Sequence, residues 1–418
     1  MLASSFAREA RRAGVDTDHL APIGSLRRFS PDIGDVSLLA VAPSNRHERV
    51  LDALAQLPIV SGTAARTLGA ITVDTGRGQV TVHVAPPHHA GSALVWHTGS
   101  RAHIALLQAR ARRFSLLFDA ACLTPSGDTG CASEEEFYAR LELPFIPPEL
   151  REGAGEVAAG ERGGLPDLIT ERHIRGDLHI HSTWSDGRDT IEDMVLASRQ
   201  LGYEYIAITD HSQSASSSRA LSVDDVHRQR EEVAALRARH AGIQILHGVE
   251  VDIMRDGSLD FDDDLLRGFD IVLASLHDHG GHDSAGLTAR YVRAIRHPLV
   301  NIITHPANRS PALSDGYALD FDRLFREAAA TGTAMEIDGA PGHLDMDGAL
   351  ARRAAAAGVT LVVDSDCHRA DALARQMRFG VGTARRGWIE PTQVLNTRGV
   401  ENIRAFVAAK RACYPEPL

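Results

Sequence analysis

The sequence predicts an α/β protein: a parallel sheet with helical crossovers, preceded by a smaller α+β unit. Three observations point there. From Asp177 onward, seven short apolar runs alternate with amphipathic segments that carry helix start and stop signals, the pattern of parallel strands joined by helices. Six of those seven runs end in side chains that bind metals well. Ahead of them, residues 149–166 are rich in Gly, Glu and Ala and lack a buried stripe, so a linker is expected to divide the chain.

In chain order, residues 35–42 ("DVSLLAVA") read as a strand and "RHERVLDALAQL" as a helix. "AITVDT" and "GQVTVHVA" form a hairpin across Gly76-Arg77-Gly78, and "SRAHIALLQARARR" is helical. The predicted division is a first unit over 1–148, a linker over 149–170 and a second unit over 171–418. The strand runs of the second unit are "DLHIHS", "YIAITDHS", "IQILHGVEVDI", "DIVLASLH", "NIITHP", "TAMEIDG" and "TLVVDSDCH". Between the first two, "TIEDMVLASRQLG" opens with a capping box at Thr190 and Asp193 and stops at Gly202. A further helix starts at Ser222 and ends at Gly242, and "DFDRLFREAAATG" and "DGALARRAAAAG" repeat the same logic. Seven repeats of similar length suggest closure into a barrel, although spacing alone also fits an open sheet.

The 418 residues carry a formal net charge of −11. An acidic surface argues against tight non-specific nucleic-acid binding, which needs clustered cations; bound divalent metals would reverse that locally. Cys122, Cys131, Cys367 and Cys413 form no CxxC pair, as expected for a reducing cytosol rather than a disulfide framework. The first twenty residues lack the apolar core of a signal peptide, and no run approaches the roughly 18 apolar residues of a membrane span. A cytoplasmic protein with no membrane partner is therefore expected. Lys410 is the only lysine, so any Schiff-base amine would have to come from it.

The metal-competent side chains fall in a definite place. His179 and His181 end the first run, with Asp186 in the loop after it; His211 ends the second and Glu250 lies in the third. His277 ends the fourth, His305 the fifth, and Asp366 and His368 the seventh. In a parallel barrel all C-terminal strand ends share one rim. Strand alternation puts His179 with His181, and Asp366 with His368, on common sides, and turns Cys367 toward the packing layer. Six imidazoles and three carboxylates buried together would be costly without cations. Zn²⁺, Mn²⁺ or Fe²⁺ suit such donors, and nine ligands divide naturally among three ions. His247, His279, His282, His297 and His343 are expected to be ordinary hydrogen-bonded residues.

The motifs "DLHIHSTWSDG", "ITDHS", "GVEVDI", "ASLH", "THP" and "SDCH" resemble those of the polymerase and histidinol phosphatase (PHP) domain family. The resemblance implies a distorted seven-stranded (β/α) barrel with a trinuclear metal site. His179, His181, Glu250 and Asp366 would then hold one ion. Glu250, bridging, would hold a second with His277 and His305, and Asp186, His211 and His368 a third. The stretches "GSLRRFSPDIGDVSLL", "VAPPHHAGSALVWHTGSRAHI" and "LELPFIPPELREGAGE" are similar to the palm and thumb of bacterial DNA polymerase X, a nucleotidyltransferase. Three aspartates would bind two Mg²⁺ ions in that palm, yet here Asp35 takes the first place, Ser37 the second and Thr81 the third. That family's N-terminal DNA-binding and lyase region finds no match. Polymerase and lyase activity are therefore expected to be absent. After the sixth strand, Asp338 and His343 replace the family's Asn and Arg.

The implied chemistry is phosphoester hydrolysis by metal-activated hydroxide. Glu250, Asp366 and His368 are its expected catalytic centre, with Arg188 and Arg309 stabilising the transferring phosphoryl group. The expected partner is a DNA 3′ end, attacked as a 3′–5′ exonuclease or 3′-end phosphatase. The alternative is a small phosphomonoester of the histidinol phosphate type. A non-catalytic DNA-binding repair scaffold is a third reading, which a complete ligand set disfavours.

Overall fold

The computed structural model describes residues 2–119, 123–124, 130–215, 219–311 and 313–412. It divides into two units, Met1–Leu165 and Pro166–Leu418. Cys122 and Cys413 lie outside the described residues; Cys131 and Cys367 are free and buried.

The first unit contains a sheet of β1 (His19–Pro22), β2 (Val36–Val41), β3 (Val60–Thr67), β4 (Ala70–Thr75) and β5 (Gly78–Ala85) in the order β1-β2-β5-β4-β3. Only β2 and β5 run parallel. Leu38, Ala40, Val73, Val80 and Val82 face the helices Leu2–Arg12 and His47–Ala55 in one buried cluster. A short ribbon, β6 (Leu117–Phe118) with β7 (Leu123–Thr124), follows the helix Arg101–Arg113.

The expected linker does not hold over its first half. Pro148–Leu150 forms a 3₁₀ turn and Glu156–Glu161 a helix, and Leu150, Arg151, Glu156 and Val157 are buried in the first unit. The cause is polar rather than hydrophobic. His103 Nδ1–H donates to Glu156 at 2.6 Å, and Arg151, fully buried, reaches Glu134 at 2.5 Å. A stretch held by buried ion pairs shows no apolar period.

The second unit is a seven-stranded parallel sheet: β8 (Gly176–Ile180), β9 (Tyr205–Ile208), β10 (Gln244–Asp252), β11 (Ile271–Ser275), β12 (Ile302–Ile303), β13 (Ala334–Asp338) and β14 (Leu361–Asp364), paired in sequence order. It curls until its first and last strands meet. Ile180 bridges Cys367, and His181 N–H donates to Cys367 O at 2.9 Å. Farther down the seam, Asp364 accepts Leu178 N–H at 2.8 Å. Asn396 binds Gly176 O and Val363 O at 2.9 and 2.6 Å. The result is a nearly closed barrel.

Alternation sorts the strands into two faces. Ile206, Ile208, Val249, Val251, Val272, Met335 and Val363 pack outward against the helices. Leu178, Tyr205, Ala207, Leu246, Ile271, Leu273, Ile302, Ala334 and Val362 fill the interior, with Ile403 and Val407 of the helix Val400–Ala412. Those apolar residues occupy the N-terminal half of the barrel. Further along, the same inward face carries Glu250, four positions after Leu246 on β10, and Glu336, two after Ala334 on β13, both fully buried. The polar end of the barrel is thus the C-terminal rim.

Candidate metal centre

Each ligand is placed by a strand end and a local device. A bulge in β8 between Asp177 and Ile180 lets Leu178 join the interior cluster and Ile180 the outer one. His179 and His181 then share the rim, their Nε2 atoms 3.0 Å apart. The loop carrying Asp186 is pinned by Asp210, which accepts Ser182 N–H at 2.7 Å, Ser182 O–H at 2.6 Å and Gln229 Nε2–H at 2.6 Å. Gly187 is required there: a Cβ would stand 2.6 Å from Ser182 O and 2.7 Å from His181 C. His305 and Asp366 sit at φ 23° and 46°, a left-handed conformation costly for non-glycine residues and typical of functional sites. Glu336 holds His305 in place by accepting its N–H at 2.7 Å.

All nine expected ligands lie at this rim. Glu250, fully buried, is the hub: its Oε2 is 3.4 Å from His179 Nε2, 3.5 Å from His181 Nε2 and 2.9 Å from His211 Nδ1. Its Oε1 is 2.9 Å from His305 Nε2 and 3.6 Å from His277 Nε2. Asp366 Oδ1 lies 3.1 Å from His181 Nε2 and 3.6 Å from His179 Nε2. Asp186 Oδ1 lies 3.1 Å from His368 Nε2 and 3.6 Å from His211 Nε2.

These spacings fit cations better than they fit mutual hydrogen bonds. Donors about 2.0–2.1 Å from a tetrahedral ion stand about 3.3 Å from one another. Among the described residues, three groupings of the expected ligands bring donor atoms close enough together to hold an ion: His181, Asp186, His211 and His368; His179, His181 and Asp366; and His211, Glu250 and His277. His211 Nδ1 and Glu250 Oε2 are only 2.9 Å apart, yet neither has a hydrogen-bond partner; the two are aimed at shared space rather than at each other. His211 bridges two groupings, where the sequence placed it in one.

Outer partners fix which ring nitrogen faces inward. His179 Nδ1–H donates to Glu336 at 2.7 Å and His277 Nδ1–H to Asp252 at 2.9 Å, so Nε2 of each faces Glu250. Burial and the neighbouring His368 and His211 push His181 down to about 3, leaving it neutral as a ligand must be. Burial opposes ionisation of Glu250, but His211 and His179 hold its carboxyl well below the usual range.

The arginines differ from one another. Arg188 is exposed, its N–H donating to His368 O at 2.8 Å. Arg309 is mostly buried, with Nη1 3.7 Å from Asp347 and Nε unpartnered. His247 is hydrogen-bonded to Gln229 at 3.0 Å and His297 lies 3.2 Å from Asp263, as expected of ordinary histidines. His343 is not ordinary. It reaches the rim, its ring 4.9 Å from that of His305. Glu336, Asp252 and Asp210 were also missed. The signal for Glu336 was present in "AMEIDG", which puts acids at alternate positions of a buried strand.

Among its described residues the first unit holds no such centre. Ser37 donates its hydroxyl to Asp35 and faces Thr81 across β2 and β5, and Thr81 bonds Thr72 at 3.0 Å. Among the described residues, no group of three potential ligands gathers there. Lys410 is buried, donating to Ile295 O at 2.8 Å and to Thr333 at 2.5 Å, away from any reactive position.

A parallel α/β barrel with a histidine–carboxylate crown at its C-terminal rim defines a PHP-type protein. The PHP domain profile matches residues 177–303, and that of the DNA polymerase beta thumb matches residues 93–152. The chain is 42% identical over 275 residues to the DNA polymerase/3′-5′ exonuclease PolX of Bacillus subtilis (strain 168), a match covering 66% of this chain and 48% of that protein. It is 33% identical over 208 residues to a probable phosphatase of Shewanella oneidensis, covering 47% of this chain and 77% of the relative. A crystal structure of histidinol phosphate phosphatase from Lactococcus lactis subsp. lactis, with zinc, L-histidinol and phosphate, is similar at TM-score 0.41 and 17% identity, covering 51% of this chain and 94% of that one. The chain belongs to the PHP domain family, as a polymerase X-like member; it spans about half of its polymerase relative. Among the described residues no helix is long and apolar enough to cross a membrane.

Proposed function

We propose that the protein is a metal-dependent phosphoesterase that hydrolyses DNA 3′ ends, as a 3′–5′ exonuclease or 3′-end phosphatase. The observation that carries this reading is the crown around the buried Glu250, with five imidazole donors 2.9–3.6 Å from it. His179, His181 and Asp366 would hold one cation, Glu250 with His277 and His305 a second, and Asp186, His211 and His368 a third. Bound cations would supply Lewis acidity and lower the pKa of water toward neutrality.

The chain's own contribution is positional. Glu336 and Asp252 hold His179 and His277 in the tautomer that presents Nε2 inward. Asp210 fixes the loop bearing Asp186. Arg188 and the unpartnered Arg309 Nε are proposed to bind phosphoryl oxygens. In the reaction, water oxygen joins phosphorus, the bond to the leaving sugar oxygen breaks, and that oxygen takes a proton.

The 3′-5′ exonuclease in the name of the Bacillus relative supports a DNA substrate. A small phosphomonoester is the second reading, favoured by the phosphatase that this chain covers over 77% of its length. Protein reconstituted with Mn²⁺ should shorten end-labelled single-stranded DNA in a ladder and release little phosphate from L-histidinol phosphate. The reverse pattern would select the second reading, and neither product from the loaded protein would remove both. Primer extension with Mg²⁺ and deoxynucleotides should yield no added nucleotide, since one carboxylate and two hydroxyls do not form a two-metal site.

A further inference from the structure

We propose that Asp338, His343 and Asp366 form an additional divalent-cation subsite beside the crown, joined to it through Asp366. The inference rests on the reading that the crown binds cations.

Asp338 ends β13 and is fully buried. Its Oδ1 accepts Ala340 N–H at 2.6 Å. Its Oδ2 has no hydrogen-bond partner, although His343 Nδ1 lies 3.1 Å away; that nitrogen is equally unpartnered. Two polar atoms at this distance without hydrogen-bond geometry do not satisfy each other. They converge on common space, as two ligands of one ion do.

Asp366 supplies the third donor, and its two oxygens face different ways. Oδ1 stands 3.1 Å from His181 and 3.6 Å from His179, within the crown. Oδ2 stands 3.8 Å from His343. One carboxylate thus faces both donor sets, and the three donor atoms of the second set lie within 4.8 Å of one another.

Charge points the same way. Glu336, Asp338 and Asp366 are buried carboxylates at one rim, and among the described residues no arginine or lysine lies within ion-pair distance of them. A protonated His343 serving only as counter-ion would direct its N–H at Asp338, which the geometry does not show. Two carboxylates and one imidazole suit Mn²⁺. His343 is about a third exposed, so the subsite opens to solvent. An ion with three protein donors keeps positions free there for water or a phosphate oxygen, and exchanges more readily than ions in the crown.

The test is Mn²⁺ titration of the metal-free full chain by calorimetry, with free Mn²⁺ followed by electron paramagnetic resonance. Wild type, Asp338→Asn and His343→Ala are compared. Asn keeps the acceptor for Ala340 N–H, and His343 lies on the exposed rim, so both variants should fold. Each should bind one Mn²⁺ fewer than wild type, or bind the weakest ion about tenfold or more less tightly, and keep the tighter ions. Equal stoichiometry and equal weakest affinity in all three proteins would overturn the subsite and leave the crown intact. A wild type that takes up no Mn²⁺ would overturn the crown's role as well.

Discussion

Glu250 and Glu336 lie on the same barrel face, two fully buried glutamates with different work. Glu250 offers both oxygens to five imidazoles, whereas Glu336 touches only the outer nitrogen of His179 and the backbone of His305. The two Gln substitutions should therefore separate. Glu336→Gln keeps an acceptor for one contact and should weaken cation binding about 10–100-fold, the usual effect of losing an outer partner. Glu250→Gln should weaken it further and abolish hydrolysis even at saturating Mn²⁺. Competition with a chromogenic chelator, beside hydrolysis at saturating metal, measures both; equal losses would deny Glu250 its central place. The gathering of nine candidate ligands at one rim was legible because histidines and acids at strand ends form a pattern that no separate account of each residue explains. Glu336, Asp252 and Asp210 were not, because an outer partner is defined by the residue it touches. The reach of His343 to the rim is not legible either, because His343 lies in a loop, where strand parity says nothing about direction.

At the scale of elements, capped amphipathic segments declared themselves. The boxes at Thr190 and Ser222 start helices at Ile191 and Val223. β3 did not, since its exposed "VSGTAART" sits at a sheet edge with no apolar alternation. The segment 149–161 hid for another reason: it is fastened by charge. Burial drives His103 below its ordinary value despite Glu156 beside it, and His103, against the cost of burial, holds Glu156 below the carboxylate range. The folded first unit thus binds fewer protons than the unfolded chain at His103 below its ordinary 6.5 and at Glu156 below 4.5, and burial adds to this by lowering His83 and by pushing His97 down to about 4, so His103 carries only part of the effect. Stability rises with pH where the unfolded state holds more protons, so this unit should lose stability as pH falls from 7 to 5. His103→Gln removes the titrating ring, and the slope over that window should flatten. Hydrogen exchange of the helix Arg101–Arg113 in both proteins, corrected for intrinsic rates, reads it. An unchanged slope in the variant would show that other groups govern the acid response.

At the scale of the molecule, the two units differ in what binds them. The interior of the first is apolar sheet against helix with a few buried ion pairs, and no group of three potential ligands gathers there among the described residues. The interior of the barrel is apolar only in its lower half, and its upper half concentrates buried carboxylates and imidazoles. Such a rim is destabilising in isolation, because each buried charge costs several kcal/mol unless it is compensated. Cations reverse the sign. A ligand held at a thousand times its dissociation constant stabilises the folded state by about 4 kcal/mol per site. In a unit of some 250 residues, each kcal/mol moves the melting temperature by about 2–4 °C. Stripping divalent ions with a chelator should therefore lower the melting of the second unit by about 10 °C or more and leave the first where it was. Exchange-monitored thermal unfolding, with peptides from β8–β14 read separately from those of β1–β5, measures both. Returning Mn²⁺ should restore the difference, while Glu250→Gln should melt near the stripped wild type with or without metal. If chelation moved both units equally, or neither, the crown would not be the load-compensating centre that its buried charge demands.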